Sequence, residues 1–296
     1  MNGHPFIVLA CTADELASGA LAPGRQAAAL SSFREHGAAL ITGAVDPSHC
    51  DRLRAAMDAD LDAAARKPFA LDIPGHVQHN PPPRAKDLYR DIIANPIAIS
   101  LAHALMGSVR LSLYTGNTML PHTTEPQPLH WDEYQLWPNL EAAPPPAAVT
   151  VNIPLVEVTT ANGALEVWPG TQHDVRSAQL FPKTLEVPIE WIEARRAVAP
   201  PVRVPMPKGT LLVRDPRMWH RGTTNSTGQA RPMVAMSYQP HWYRPLAIDF
   251  YSDAEPVLAE LGLKTAARFR DHFDHLVWPP NWQLVPAPVD APKQGR

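Results

Sequence analysis

The sequence predicts a mainly β protein, an antiparallel sandwich or barrel flanked by helices. Proline is spread along the whole chain, 34 of 296 residues. It breaks helices but is tolerated at strand ends and turns. From residue 108 onward, short runs rich in β-branched and aromatic residues follow one another with no helical segment between them. Ahead of that point the texture is helical.

The apolar run 5-PFIVLACTA-13 is too short to span a bilayer and has no basic segment before it. A cytoplasmic protein is expected. Residues 24–66 read as helical. Within them 47-PSHCDRLRAAMDADLDAAARK-67 starts at Pro47 and sets Leu53, Met57 and Leu61 four apart, on one face. A further helix is predicted over 96-PIAISLAHALMG-107, closed by Gly107. The strand-like runs are 109–120, 147–158, 163–170, 209–215 and 231–240, each bounded by Gly, Pro, Asn or Asp. Residues 253–276 read as helical again, and the stretch from Pro279 as loop. No repeat or linker divides the chain. It is therefore expected to be a single domain over 1–296: a helical region at about 24–107, a β core at about 108–245, and a helical, proline-rich tail at 246–296.

The net charge of -3 makes no electrostatic case for nucleic acid or an anionic membrane as partner. Two cysteines, Cys11 and Cys50, do not make a disulfide framework, so a reducing compartment is the default. A small molecule is the expected partner, with monomer and homodimer equally compatible.

His-x-Asp occurs at His49/Asp51, His130/Asp132 and His272/Asp274. The first and third fall in predicted helices, where residues i and i+2 point about 200° apart and cannot share a ligand. His272 and His275 have helical i,i+3 spacing but no partner downstream, and read as a solvated face. In 127-QPLHWDEYQLWP-138 the chain is expected to be extended, which turns His130 and Asp132 to the same side and Trp131 to the other. One imidazole and one carboxylate then converge, two-thirds of the 2-His-1-carboxylate set that holds iron(II) with open positions. His220, after a strand-like run and a turn-like Asp-Pro, is the candidate third ligand. Arg231 opens an apolar strand. A charged residue there calls for an anionic partner, and a guanidinium grips a carboxylate with two parallel hydrogen bonds.

This layout resembles the iron(II)/2-oxoglutarate dioxygenases, most closely the phytanoyl-CoA dioxygenase family. The surrounding words 116-GNT-118, 127-QPLHWD-132 and 161-ANGALEVWPGTQH-173 fit that family, and the resemblance covers roughly residues 30–245. It implies a double-stranded β-helix, a cupin-like jelly-roll barrel with flanking helices. It implies that His130, Asp132 and His220 bind Fe(II), and that 2-oxoglutarate chelates the metal while Arg231 holds its far carboxylate. Asn117 and Gln127 match positions that contact the cosubstrate in several relatives. Two departures stand out. Gly222 occupies a place where many relatives carry Ser or Thr, with Thr223 or Thr224 as substitutes for the hydroxyl. An aromatic found in relatives after the first histidine is replaced within 144-PPPAA-148.

The resemblance implies an oxygenase using Fe(II), 2-oxoglutarate and O2, hydroxylating an unactivated C–H bond in natural-product biosynthesis or catabolism. The halogenating relatives lack the carboxylate, so Asp132 argues for oxygenation. Desaturation, ring closure and endoperoxidation are open to the same oxidant. The aromatic flanks of the motif favour a partly hydrophobic substrate, with Tyr134, Trp137 and Trp168 as candidate contacts. The rivals are a metal-binding cupin without oxygenase activity and a non-catalytic ligand-binding barrel. The first leaves Arg231 idle; the second should tolerate loss of the triad, yet all three ligands are present in order. His173 is read as ordering its loop, and His122 as loop or pocket lining.

Overall fold

A computed structural model of the chain describes residues 4–67, 73–137, 139–180, 184–243 and 246–277. The stretch from Pro279, expected as loop, lies outside the described residues. Twelve strands are present among them: β1 (Val8–Ala10), β2 (Ala38–Thr42), β3 (His76–Gln78), β4 (Val109–Met119), β5 (Val149–Pro154), β6 (Leu165–Val167), β7 (Val202–Val204), β8 (Leu211–Arg214), β9 (His220–Arg221), β10 (Arg231–Pro240), β11 (Ala247–Tyr251) and β12 (Ala266–Arg270). The helices are α1 (Ala13–Ser18), α2 (Pro23–His36), α3 (Pro47–Ala65), α4 (Arg90–Ile93), α5 (Pro96–Met106), α6 (Ile189–Val198) and α7 (Glu255–Leu261).

A large sheet runs in the order β1-β2-β8-β5-β10-β4-β3, antiparallel except between β1 and β2. A smaller antiparallel sheet, β7-β6-β9, faces it and is extended at its edge by single bridges from His130 to His220 and to Glu186. The two sheets form a jelly-roll barrel. No helix among the described residues is long and apolar enough to cross a membrane.

The expected helix over 24–66 is two helices with a strand between them. Gly37 ends α2 at φ 93, a left-handed conformation that glycine adopts without penalty. The buried run Ala38–Thr42 then pairs with β8. Its alanines hid it, although Gly37 and Gly43 mark both ends. α3 begins where expected, capped by Asp46, whose carboxylate accepts the Ser48 N–H at 2.8 Å. Asn95 caps α5 by accepting from Ile97 and Ala98. The predicted C-terminal helix is a correction: only α7 is helical, and β12 beyond it pairs in parallel with β11. His272 and Asp274 lie after β12, outside any helix, and Asp274 is tied to Lys67.

Strand alternation gives the large sheet two unlike faces. Val234, Met236 and Tyr238 of β10, with Val151, Ile153, Leu211 and Val213, pack outward in the main core, which includes Phe33, Leu53, Met57, Ile97 and Leu101 from α2, α3 and α5. Inside the barrel a second cluster including Leu40, Val167, Val204, Leu212 and Met233 joins the two sheets. The rest of the interior is a cavity of about 400 Å³.

Candidate metal centre

His130 and His220 are held by backbone geometry. Each donates its N–H to the other's carbonyl, at 3.0 and 2.8 Å. They form a hydrogen-bonded antiparallel pair, so their side chains leave the sheet on the same side. Their ring centroids are 4.5 Å apart. Asp132, two residues along the extended chain, joins them. Its Oδ1 is 3.9 Å from His130 Nε2, and its Oδ2 is 3.4 Å from His220 Nε2. The three ligand atoms lie within 4.8 Å of one another.

The proton positions suit a metal. His130 Nδ1 is 2.8 Å from the Pro128 carbonyl and His220 Nδ1 is 2.9 Å from the Met218 carbonyl. A carbonyl only accepts, so each Nδ1 must donate, and each Nε2 lone pair is left facing Asp132. Burial, and then His220, push the His130 pKa down to about 4, so the ring is neutral at pH 7. Burial opposes ionisation of Asp132, but Arg214 foremost and then the histidines outweigh it and hold the carboxyl well below its usual range. Arg214 Nη2 lies 2.5 Å from Asp132 Oδ2, while its Nε donates to Asn152 Oδ1 at 2.8 Å.

The cavity lies over this triad. Arg231, 2% exposed, stands at one end of its wall. Among the described residues its guanidinium makes a single hydrogen bond, from Nη1 to Asn117 Oδ1 at 3.1 Å, and no ion pair. Its Nε is buried without an acceptor, and burial alone lowers its pKa to about 10. A buried cation without a counterion is costly, so this end of the cavity is built for an anion. Gln127 turns Oε1 toward the Gly222 N–H, accepting at 2.8 Å, which leaves its amide N–H groups to donate. Asn117 and Gln127 both line the cavity.

A family profile described as Phytanoyl-CoA dioxygenase (PhyH) matches residues 33–233. The chain belongs to the phytanoyl-CoA dioxygenase family. L-proline trans-4-hydroxylase of Streptomyces griseoviridis is 28% identical over 164 residues, half of this chain and 61% of that protein. This chain thus spans about three-fifths of the length of that curated relative. Among solved structures, EvdMO1 is similar with a TM-score of 0.52 at 21% identity, over 73% of this chain and 50% of that one. AviO1 from Streptomyces viridochromogenes Tue57 is similar with a TM-score of 0.52 at 21% identity, over 76% of this chain and all of that one. At these identities the likeness is one of fold.

At Gly222 the surrounding side chains of this phytanoyl-CoA dioxygenase family member crowd the place of a Cβ. A Cβ there would meet Gln127 Oε1 at 2.8 Å and the His76 ring at 3.1 Å. His76, which the sequence did not single out, fills the place beside the cavity. Neither Thr223 nor Thr224 substitutes: neither lines the cavity, and the Thr223 hydroxyl donates to the Ala164 carbonyl at 2.8 Å. His173 bonds the Arg34 carbonyl at 2.9 Å, as a loop-ordering residue would.

The aromatics expected at the substrate do not line the cavity. Trp168 is 1% exposed and packs with Trp131, Trp191 and Trp219 on the back of the ligand-bearing strands. The reason is parity: Val167, paired with His220, faces inward, which turns Trp168 outward. Trp137 is half exposed, and the Tyr134 hydroxyl donates to the Thr184 carbonyl at 2.5 Å. The wall carries the polar side chains Glu133, Thr150, Ser237 and Gln239 beside the apolar Leu113, Leu165, Leu185, Met233 and Leu246. Burial first, and then Asp215, raise the Glu133 pKa to about 7.

The four tryptophans stiffen the strands that carry the ligands. Trp219→Ala removes a fully buried indole next to His220 and is expected to lower unfolding free energy by about 3–5 kcal/mol. Denaturant unfolding of the metal-free protein checks this, and a loss below about 1 kcal/mol would contradict the packing role.

Proposed function

We propose that this chain is an iron(II)- and 2-oxoglutarate-dependent dioxygenase that hydroxylates an unactivated C–H bond of a small molecule. The observation that carries the reading is the pairing, in one cavity, of the His130–Asp132–His220 cluster with a buried arginine that lacks a counterion. A metal-binding cupin accounts for the first feature and leaves the second without purpose, and a non-catalytic ligand-binding barrel has no use for the first. The hydroxylase activity in the name of the Streptomyces griseoviridis relative points the same way.

Two imidazoles and one carboxylate are a donor set for iron(II) that leaves positions open. Iron(II), 2-oxoglutarate and O2 together supply the oxidant for the C–H bond. The chain's own contribution is placement. His130 and His220 present Nε2 because their Nδ1 protons are held by backbone carbonyls. Arg214 holds the second oxygen of Asp132, which orients the carboxylate. Arg231 and Asn117 receive the far carboxylate of the cosubstrate, and Gln127 donates beside them. The surrounding barrel walls restrict water in the cavity.

The test is anaerobic addition of iron(II) and 2-oxoglutarate to metal-free protein. The expected result is the weak visible charge-transfer absorption of a chelated 2-oxoacid on ferrous iron. Its absence from folded, iron-loaded protein would remove the oxygenase reading and leave the cupin or the ligand-binding barrel.

A further inference from the structure

The inner face of the large sheet is a sequence of rows, set by strand register. Arg231 pairs with Met119, Met233 with Asn117, Ala235 with Thr115 and Asn152, and Ser237 with Leu113 and Thr150; Gln239 follows. Along β10 the step from Arg231 to Gln239 is eight residues, roughly 27 Å of extended chain. Arg214 is in register with Thr150 and holds Asp132. The candidate metal centre therefore lies between the two ends of the wall. One end offers donors that lack acceptors, at Arg231. Arg214, beside the centre, also keeps a buried Nη1 without an acceptor, and beyond it stands Glu133, an acid in no ion pair among the described residues.

Beside the candidate metal ligand Asp132, toward the end opposite Arg231, stand two further carboxyl groups, Asp215 and Glu133, with the guanidiniums of Arg214 and Arg217. Asp132 is held by Arg214. Asp215 is gripped by Arg217 in a two-bond fork, Nε to Oδ1 at 2.9 Å and Nη2 to Oδ2 at 2.7 Å. Arg217 spends its remaining Nη1 on Gln135 and the Pro144 carbonyl. Glu133 is the acid left over. Among the described residues it makes no ion pair, and its side chain accepts one hydrogen bond, from Gln239 Nε2 at 3.3 Å. Gln239 itself is 5% exposed, lines the cavity, and has a buried Oε1 with no donor. A carboxyl group in no ion pair among the described residues thus stands at the cavity wall, beside a glutamine that donates to it. Such a carboxylate is complementary to a compact donor bearing positive charge and several N–H groups.

We infer that Glu133 and Gln239 form the substrate-recognition end of the cavity and that they take a protonated amine. The substrate class is a small aliphatic amine or amino acid. Its ammonium docks on the Glu133 carboxylate, which Gln239 holds in place, and its carbon skeleton extends back toward the triad. The substrate assignment rests on the oxygenase reading of the same site, whereas amine binding stands on the residues named.

The experiment is ligand-observed NMR on metal-free protein. The probes are pairs of molecules matched in size that differ in carrying a protonated amine, among them L-proline against cyclopentanecarboxylate. The expected result is amine partners binding at least about tenfold tighter, which is about 1.4 kcal/mol. Glu133→Gln, which keeps the shape and loses the charge, removes that preference. Glu133→Asp, which keeps the charge, retains it. Binding of 2-oxoglutarate, followed on the same samples, is unchanged in both variants and reports whether each is folded. An absence of amine preference in the wild type overturns the inference, and so does a preference that survives in Glu133→Gln. Loss of the amine result with the ferrous 2-oxoglutarate absorption intact removes this inference alone. Loss of that absorption removes the oxygenase reading.

Discussion

His220→Ala is expected to lower ferrous-ion affinity by more than about a hundredfold and to bring turnover to background. Loss of a mere hydrogen-bond partner of a metal ligand costs roughly 10–100-fold in affinity or activity, and loss of the ligand costs more. The fold is expected to persist. His220 bonds the Met218 carbonyl through its side chain, while the reciprocal bonds to His130 use the backbone and survive the substitution. Asp132 keeps Arg214. Calorimetric titration of iron(II) into wild type and variant, with 2-oxoglutarate turnover beside it, checks both parts. Wild-type metal affinity in a folded variant would show that the triad is not the ligand set.

Arg231→Met is expected to separate stability from function with opposite signs. In the free protein the guanidinium is buried with only Asn117 as partner, so exchanging it for an apolar side chain of similar length removes an uncompensated charge. The variant should be no less stable than wild type without the cosubstrate. With the cosubstrate the balance reverses. Losing one partner of a buried, hydrogen-bonded charge pair costs about 2–5 kcal/mol. At about 1.4 kcal/mol per tenfold, that places the 2-oxoglutarate KM on the order of a hundredfold higher. Thermal melts with and without 2-oxoglutarate give the readout: stabilisation by the ligand in wild type, none in the variant. Equal stabilisation in both would move the carboxylate site elsewhere.

The residues brought together in the cavity were legible in the sequence wherever two-residue periodicity governed them. His130 and Asp132 share a side because the chain is extended there, and that could be read from the prolines and aromatics around them. His220 and Arg231 were candidates from their places beside strand-like runs, Asn117 and Gln127 came through resemblance, and all four line the cavity. The same parity read the other way explains the aromatics. Trp131 was assigned to the far side of its strand, but Trp168 was not, because the pairing of Val167 with His220 is a long-range fact. His76 was hidden in a three-residue strand without a strand-like texture. Glu133 and Gln239 gave no signal, since an unpaired carboxylate is recognised only once its neighbours' partners are known. The strand between α2 and α3 was lost to alanine, whose helix preference outweighed the two flanking glycines.

Register also divides the work of the barrel wall by residue number. On β10 the odd positions 231 to 239 line the cavity, whereas Val234, Met236 and Tyr238 belong to the core beneath the helices. Adjacent letters of one strand therefore answer to different selective pressures. Odd positions other than Met233, which packs between the two sheets, can drift to accept a new substrate without loosening the scaffold, and even positions can be repacked for heat resistance without retuning specificity. A single-residue insertion exchanges the two sets at once, so diversification of this wall proceeds by substitution, while changes of length are confined to its loops.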